Sequence, residues 1–189
     1  INSLNNNKWS QILKDKIKEA EFENRWFTKN FILNNLKYWG KKLNKKRLFD
    51  WSKNYNIKNE SKKVAIIMAG NFPLAGMHDL VCVLLSCNEA VIKPSSKDRV
   101  LITFLVNFLH KKFPLSKNFI SINNDKLTNF EMVIATGSNN THKYFEYYFK
   151  NKKSLLRKNR NSIAVLDGNE TKKEISKLAE DVFLYFGLG

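Results

Sequence analysis

An apolar run that ends abruptly at a glycine and an asparagine governs what this chain can fold into. Residues 64–69 read V-A-I-I-M-A, and Gly70 and Asn71 break the run. Such a run is the length of a strand buried on both faces. Pro73 stands where a first helical turn would begin, and Leu74 to Ser86 is apolar enough for a buried helix. Glu89 to Lys93 is a second short β-like run, stopped by Pro94. Strand, turn, helix and strand make one βαβ unit, which implies parallel strands and a right-handed crossover. Ligands of open parallel sheets bind beyond the carboxyl ends of the strands. Here those ends carry Asn71 after the first strand, and Lys93, Ser95 and Ser96 after the second.

The 189 residues suffice for a domain with a real core, and the 43% apolar and 13% aromatic content argues for a folded chain. No apolar run approaches the roughly 20 residues of a membrane span. The opening I-N-S-L-N-N-N-K-W lacks the apolar centre of a secretory signal, so the cytosol is the expected compartment. The net charge of +16 invites a nucleic-acid reading. However, the lysines are scattered and accompanied by abundant asparagine, as on any solvated surface under a compositional bias. A dedicated nucleic-acid function is therefore not expected. The basic clusters at 41–47 and 150–160 suit polyanions, phosphate-bearing cofactors included. Cys82 and Cys87 both fall in the first buried helix, five positions apart. They do not face each other, fit no metal-site spacing, and read as small buried apolar residues. No metal is expected.

The N-terminal third reads as helical. Lys8 to Lys18 places Trp9, Ile12, Leu13 and Ile17 near one stripe. A second helix starts at the N-cap Thr28 and runs to Trp39, closed by Gly40, with an apolar face of Phe31, Ile32, Asn35, Leu36 and Trp39. A third spans Lys42 to Tyr55, with Leu43, Leu48, Phe49 and Trp51 inward. Residues 1–55 thus form a helical segment, 56–63 a polar linker, and 64–189 a parallel-sheet domain. In that domain Asp98 to Lys112 is a helix with Leu101, Ile102, Leu105, Val106, Phe108 and Leu109 inward, and Ser95 with Asp98 resembles a capping box. Strands follow at Asn118–Ile122 and Phe130–Ala135, then a helix from His142 to Phe149. Two short strands, Ser154–Leu156 and Ser162–Leu166, flank a basic turn. Thr171 and Glu174 form a capping box for a last helix, whose Ile175, Leu178, Ala179, Val182 and Phe186 share one face. Gly187 and Gly189 end it.

There is no P-loop and no G-x-G-x-x-G. His78 and Asp79 with a serine could be assembled into a triad, but nothing marks a nucleophile elbow. What remains is a set of strand-end turns, G-N-F-P, K-P-S-S and T-G-S-N-N. On the residues alone, Asn71 is either a cap for the helix after it or a side-chain amide aimed at a ligand. Ser95 and Ser96 are either caps or anion donors, and Ser138 is open in the same way.

Together and in this order, the turns resemble the cofactor domain of the aldehyde dehydrogenase superfamily. The closer resemblance is to its acyl-CoA reductase branch, the fatty-acid reductases of bacterial luminescence. It is carried by A-G-N-F-P-L-A-G-M-H-D, V-I-A-T-G-S-N-N-T, Y-F-E-Y-Y-F, L-R-K-N-R-N-S-I-A-V-L and D-V-F-L-Y-F-G-L-G, and extends from about Trp26 to the last residue. The resemblance implies an α/β, Rossmann-like parallel sheet with flanking helices. It implies that Asn71 is the oxyanion-hole amide and that Met68, Ala69, Gly70, Lys93, Pro94, Ser95, Ser96, Gly137 and Ser138 line the cofactor. Lys93 matches the residue that bonds the adenosine ribose. NAD-preferring members carry a Glu three positions later, where this chain has Ser96. This favours NADPH over NADH, because Ser does not repel a 2′-phosphate and Lys93 and Lys97 attract it.

Two departures qualify the implied reaction, the reduction of a fatty acyl thioester to an aldehyde through a cysteine thioester. The Glu that activates water in hydrolytic members is replaced by Leu155 or Leu156, which suits acyl exchange with coenzyme A or another thiol. The family's nucleophilic cysteine is expected directly after F-G-L-G, where this sequence stops. The chain is therefore expected to be the N-terminal part of such a reductase, truncated before the catalytic domain and inactive alone. Implied partners are fatty acyl-CoA, an acyl-transferring protein, and further copies in a homo-oligomer. The alternative from another class is a non-catalytic binding or assembly module that kept the fold.

Overall fold

The computed structural model describes residues 7–57 and 60–187, with side chains from Ser10 onward. The Trp9 side chain, Gly189 and part of the 56–63 stretch lie outside what is described. Three helices come first: α1 (Asn7–Glu23), α2 (Lys29–Lys42) and α3 (Lys45–Ser52). Five strands follow, β1 (Lys63–Ile67), β2 (Glu89–Lys93), β3 (Ile120–Ile122), β4 (Met132–Thr136) and β5 (Lys153–Arg157). Between and after them run α4 (Met77–Leu85), α5 (Arg99–Lys112), α6 (Asn139–Tyr148) and α7 (Lys172–Phe183).

All strand pairs are parallel and the order is β3-β2-β1-β4-β5. The chain lays down β1, β2 and β3 outward, then returns to place β4 on the free side of β1. This is the α/β, Rossmann-like sheet that the motifs imply. The alternation of side chains along β1 splits the core in two. Val64 and Ile66 belong to the main cluster with Ala90 and Ile92 of β2, Leu80 and Val83 of α4, and Leu101, Ile102 and Val106 of α5. Ala65 faces the other way, with Val133 and Ala135 of β4, against Phe145 and Phe149 at α6. The first two helices are part of the same main core. Ile17 and Ala20 of α1, Phe27 of the α1–α2 connection and Ile32 of α2 are buried in it.

The caps are as the sequence suggests at two helices. Thr28 Oγ accepts from the Phe31 N–H at α2, and Thr171 and Glu174 close a reciprocal capping box at α7. Several other boundaries and faces differ. Helix α2 runs through Gly40 to a C-cap at Leu43, because a glycine inside a helix costs only about 1 kcal/mol. Helix α3 starts later, since Asn44 captures the Lys46 N–H. Phe49 and Trp51 on α3 are exposed, not inward, because no element packs over them. Helix α4 begins at Met77 rather than Pro73, and Leu74, at φ +59°, lies outside the helical region. Cys87 falls after α4, exposed and in a left-handed turn, and both cysteines are free. Residues 162–166 form no strand. Ile163 and Val165 are nearly fully exposed, and β5 pairs only with β4. The apolar face of α7 is likewise uncovered among the described residues, and Phe186 lies beyond its end. No described helix is long and apolar enough to cross a membrane.

Burial separates two isoleucines that composition would treat alike. Ile66→Ala, in the central strand and fully buried, is expected to lower stability by about 2–5 kcal/mol in urea unfolding. Ile163→Ala is expected to stay within about 0.5 kcal/mol of the parent. Equal losses would show that 162–166 is packed in solution.

Candidate functional site

The three turns singled out by sequence meet at one edge of the sheet. In register, Ile67 at the end of β1 lies beside Lys93 of β2 on one side and Ala135 of β4 on the other. The segments that follow (Met68–Asn71, Pro94–Ser96 and Gly137–Ser138) therefore leave three adjacent strands at their carboxyl ends. The chain's reversal falls between β1 and β4, which makes this edge the topological switch point, the usual ligand crevice of such sheets.

Each residue has a definite local role. The Met68 N–H extends the β1–β2 ladder to the Lys93 carbonyl at 3.0 Å. The Met68 side chain is buried against Gly76, where a Cβ would come within 2.3 Å of its Cγ. Gly70 is required by close approach, since a Cβ there would lie 2.4 Å from Ser95 Oγ. The first and second turns thus pack directly on each other. The Lys93 ammonium donates to the Asp125 carbonyl at 2.7 Å. Ser95 Oγ accepts from the Lys97 N–H at 3.2 Å, and Ser96 is exposed. Ser138 caps α6, its Oγ accepting from the Thr141 N–H at 3.2 Å. Asn71 is exposed, six positions before Met77, and the cap of α4 is Gly76. The capping alternative for Asn71 therefore falls.

The expected capping box at Ser95 and Asp98 does not form. Instead, buried Asp98 reaches across to the Asn71 turn, where Oδ2 accepts the Leu74 N–H at 2.5 Å. On the other side of the same peptide unit, the Pro73 carbonyl accepts from Asn35 Nδ2 of α2 at 2.7 Å. One peptide group is thus gripped at both its polar atoms by two buried side chains. The second Nδ2 proton of Asn35 goes to the Tyr185 hydroxyl at 3.1 Å. Tyr185 stacks on Phe72, ring centroids 5.2 Å apart, and contacts Phe31 edge-on at 5.1 Å. Phe186 packs edge-on against Phe31 and Trp26. The C-terminal segment is therefore docked against the same turn. The amide oxygen of Asn35 and the second carboxyl oxygen of Asp98, Oδ1 in each, are buried without a hydrogen bond. Sequence reading placed Asn35 on an apolar face. An amide inside an apolar helical stripe was the available signal, since such a group must find a partner.

Other titratable groups serve the frame. Buried Asp79 of α4 pairs with Arg157 at the end of β5 at 2.5 Å, so it is committed to an ion pair and not to a triad. Cys82 lies 3.7 Å from both ring nitrogens of His78. Burial, then the Asp79 carboxylate, pushes its thiol up, and a neutral thiol is no nucleophile. A cavity of about 470 Å³, lined by Trp51, Tyr55, Lys62, Cys82, Leu85 and Met132 among others, opens at the opposite ends of β1 and β4, away from the three turns.

A model of the acyl-CoA reductase (LuxC) family matches residues 13–186. No curated protein matches the sequence. Among solved structures, aldehyde dehydrogenase 21 of Physcomitrella patens, in complex with the reaction product succinate, superposes with a TM-score of 0.60 at 18% identity over 74% of this chain. The match spans 36% of the dehydrogenase, so this chain corresponds to about a third of that enzyme's length. An intact type IV self-sufficient cytochrome P450 monooxygenase reaches only 0.31 at 12% identity, over 60% of this chain and 16% of its own, too low to indicate a shared fold.

The buried Asp98 gives the turn a pH signature. Burial raises its carboxyl from 3.8 to about 7, and the Leu74 N–H opposes the rise. The folded chain therefore holds this proton more tightly than the unfolded chain. The associated stability is complete below the unfolded value and is lost as pH rises through about 7. Asp98→Asn cannot titrate. In urea unfolding it is expected to gain on the parent between about pH 4 and pH 7, by at most about 1.4 kcal/mol per pH unit. A stability difference that does not change with pH would refute the assignment.

Proposed function

The chain belongs to the acyl-CoA reductase (LuxC) family, and on that premise we propose that it supplies the cofactor-binding part and the oxyanion donor of an NADPH-dependent fatty acyl thioester reductase. The observation that carries this reading is the convergence of three turns, G-N-F-P, K-P-S-S and T-G-S, on the switch point of one parallel sheet.

The residues present fit a dinucleotide. Lys93 has three ammonium protons and spends one on Asp125, so two serve a ribose hydroxyl. Ser96 adds no negative charge there, and Lys93 with Lys97 supplies a positive field suited to a 2′-phosphate. The N-terminus of α6, capped by Ser138, offers backbone N–H groups to a pyrophosphate, while the Gly137 N–H is spent on the Arg157 carbonyl at 3.1 Å and Gly137 contributes only a bare approach. In this reading Met68, Ala69 and Gly70 after β1 and Pro94 with Ser95 after β2 lie along the cofactor, and the close approach of Gly70 to Ser95 supports it. When bound, NADPH supplies the hydride. Asn71 donates its side-chain amide to the oxygen of a thioester as that oxygen becomes an oxyanion, a contribution of about 3–4 kcal/mol to the barrier. The attacking thiolate belongs to the residue that follows F-G-L-G in the family pattern. The stacking of Tyr185 on Phe72, with Phe186 against Phe31, supports this reading, because it holds Tyr185 and Phe186 beside the Asn71 turn. Leu155 and Leu156, in place of a general base, leave water unactivated, so the acyl group exchanges with a thiol. The acyl donor is fatty acyl-CoA or an acyl thioester handed over by a protein partner, in a homo-oligomer.

Titration with NADPH, followed by tryptophan fluorescence, is expected to saturate. NADH should bind more weakly, and Lys93→Ala should weaken NADPH binding by roughly tenfold or more. Absence of saturable binding, or binding indifferent to Lys93, would overturn the cofactor assignment.

A further inference from the structure

The Pro73–Leu74 peptide group has an unusual setting. Its carbonyl points to Asn35 on α2 and its N–H to Asp98 at the start of α5, both side chains buried. Leu74 sits at φ +59°, a conformation that a leucine adopts only when its surroundings impose it. A rotation of this peptide plane would break both hydrogen bonds at once and leave the Pro73 carbonyl, the Leu74 N–H and Asp98 Oδ2 without these partners. The orientation is therefore fixed from two separate elements. Asn35 reaches a third, since its remaining amide proton goes to Tyr185 in the C-terminal segment. Asp98 reaches a fourth, since it closes the loop that begins at Lys93 and packs on Gly70 through Ser95.

We propose that Asn35 and Asp98 are positioning residues that hold the Asn71 turn, the Lys93–Asp98 loop and Tyr185 as one unit, by clamping the Pro73–Leu74 peptide from both sides. The proposal rests on Asn71 being the oxyanion donor. Its content is that the setting of Asn71 depends on two side chains that touch no substrate. Because Asp98 is an acid whose proton is lost near neutrality, the clamp changes character with pH. Protonated, Asp98 meets the Leu74 N–H through a neutral oxygen; ionised, it meets it through a full negative charge, a stronger acceptor. The charged groups around the small cleft over Asp98 are Glu23 at the end of α1 and its own neighbours Lys97 and Arg99. On the far side of the peptide the titratable group is Tyr185, whose hydroxyl burial pushes up and the Asn35 bond pulls down.

The test uses the full chain and nuclear magnetic resonance. Between about pH 5 and pH 8 the Leu74 amide and the Asn71 side-chain amide are expected to titrate together, with one midpoint near neutrality. In Asp98→Asn, which keeps an acceptor of the same shape, both are expected to be flat while Leu74 stays protected from hydrogen exchange. Asn35→Leu removes both donated bonds. It is expected to raise exchange at Leu74 by about tenfold or more relative to the β1 amides, and to shift Asn71 and the Tyr185 ring signals together. The proposal is overturned if Asn71 does not follow the Leu74 titration, if the titration persists in Asp98→Asn, or if Asn35→Leu accelerates all amides equally. None of these readouts requires nucleotide, so they stand or fall apart from the NADPH titration.

Discussion

A peptide group has one donor and one acceptor, and when it is buried both must be answered. At Pro73–Leu74 neither is answered by a helix or a ladder. The turn between β1 and α4 is too tight for regular pairing, and the proline removes one donor from it. Two side chains from outside the βαβ unit meet the need instead, Asn35 and Asp98. Much of the architecture follows from that requirement. Helix α2 must lie against the turn for Asn35 to reach it, which explains why Phe27 and Ile32 are sunk in the same core as the sheet. The loop after β2 must fold back over Gly70, which is why that position has no room for a side chain.

The parts of this arrangement that sequence makes legible are those governed by local rules. Short apolar runs bounded by glycine and proline locate β1 and β2 within a residue or two. The hydroxyl-first pattern locates the starts of α2 and α7. The strand-end turns also announce themselves, because ligand chemistry requires particular residue types there. Burial of a face is a different matter, because it depends on what arrives later in space. Phe49 and Trp51 on α3 and Ile175 and Val182 on α7 have the spacing of a buried stripe, yet nothing among the described residues covers them. Ser162–Leu166 has strand composition, yet it does not pair with the open edge of β5, and Ile163 and Val165 stay exposed.

Asp98 shows a subtler form of the same limit. An aspartate at a helix start looks like a cap, and Asp98 does occupy the N-cap position of α5. Its carboxylate turns away because a stronger demand, an otherwise unanswered N–H in a buried turn, lies within reach. Local propensity names the residues able to make a bond. Competition among donors decides which bond is made, and that competition is settled in three dimensions. Asn35 shows the complementary limit: its burial follows from periodicity, but its partner is 38 positions away.

The strand order has a consequence for how the chain is made. β1 lies at the middle of the sheet, yet its two neighbours are synthesised at very different times. β2 follows it by about one helix, whereas β4 begins only at Met132. During vectorial synthesis the half-sheet β1–β2–β3 can assemble first, with one long edge of β1 unpaired until the chain from Ile122 to Thr136 has been added. That edge carries Ala65 and Ile67 and offers a row of free backbone groups to any other strand. At synthesis rates of about 5–20 residues per second, the exposure lasts on the order of a second. Crowded nascent chains could pair through it before β4 arrives, so the yield of correctly folded protein would depend on translation speed and on chaperones that shield an open sheet.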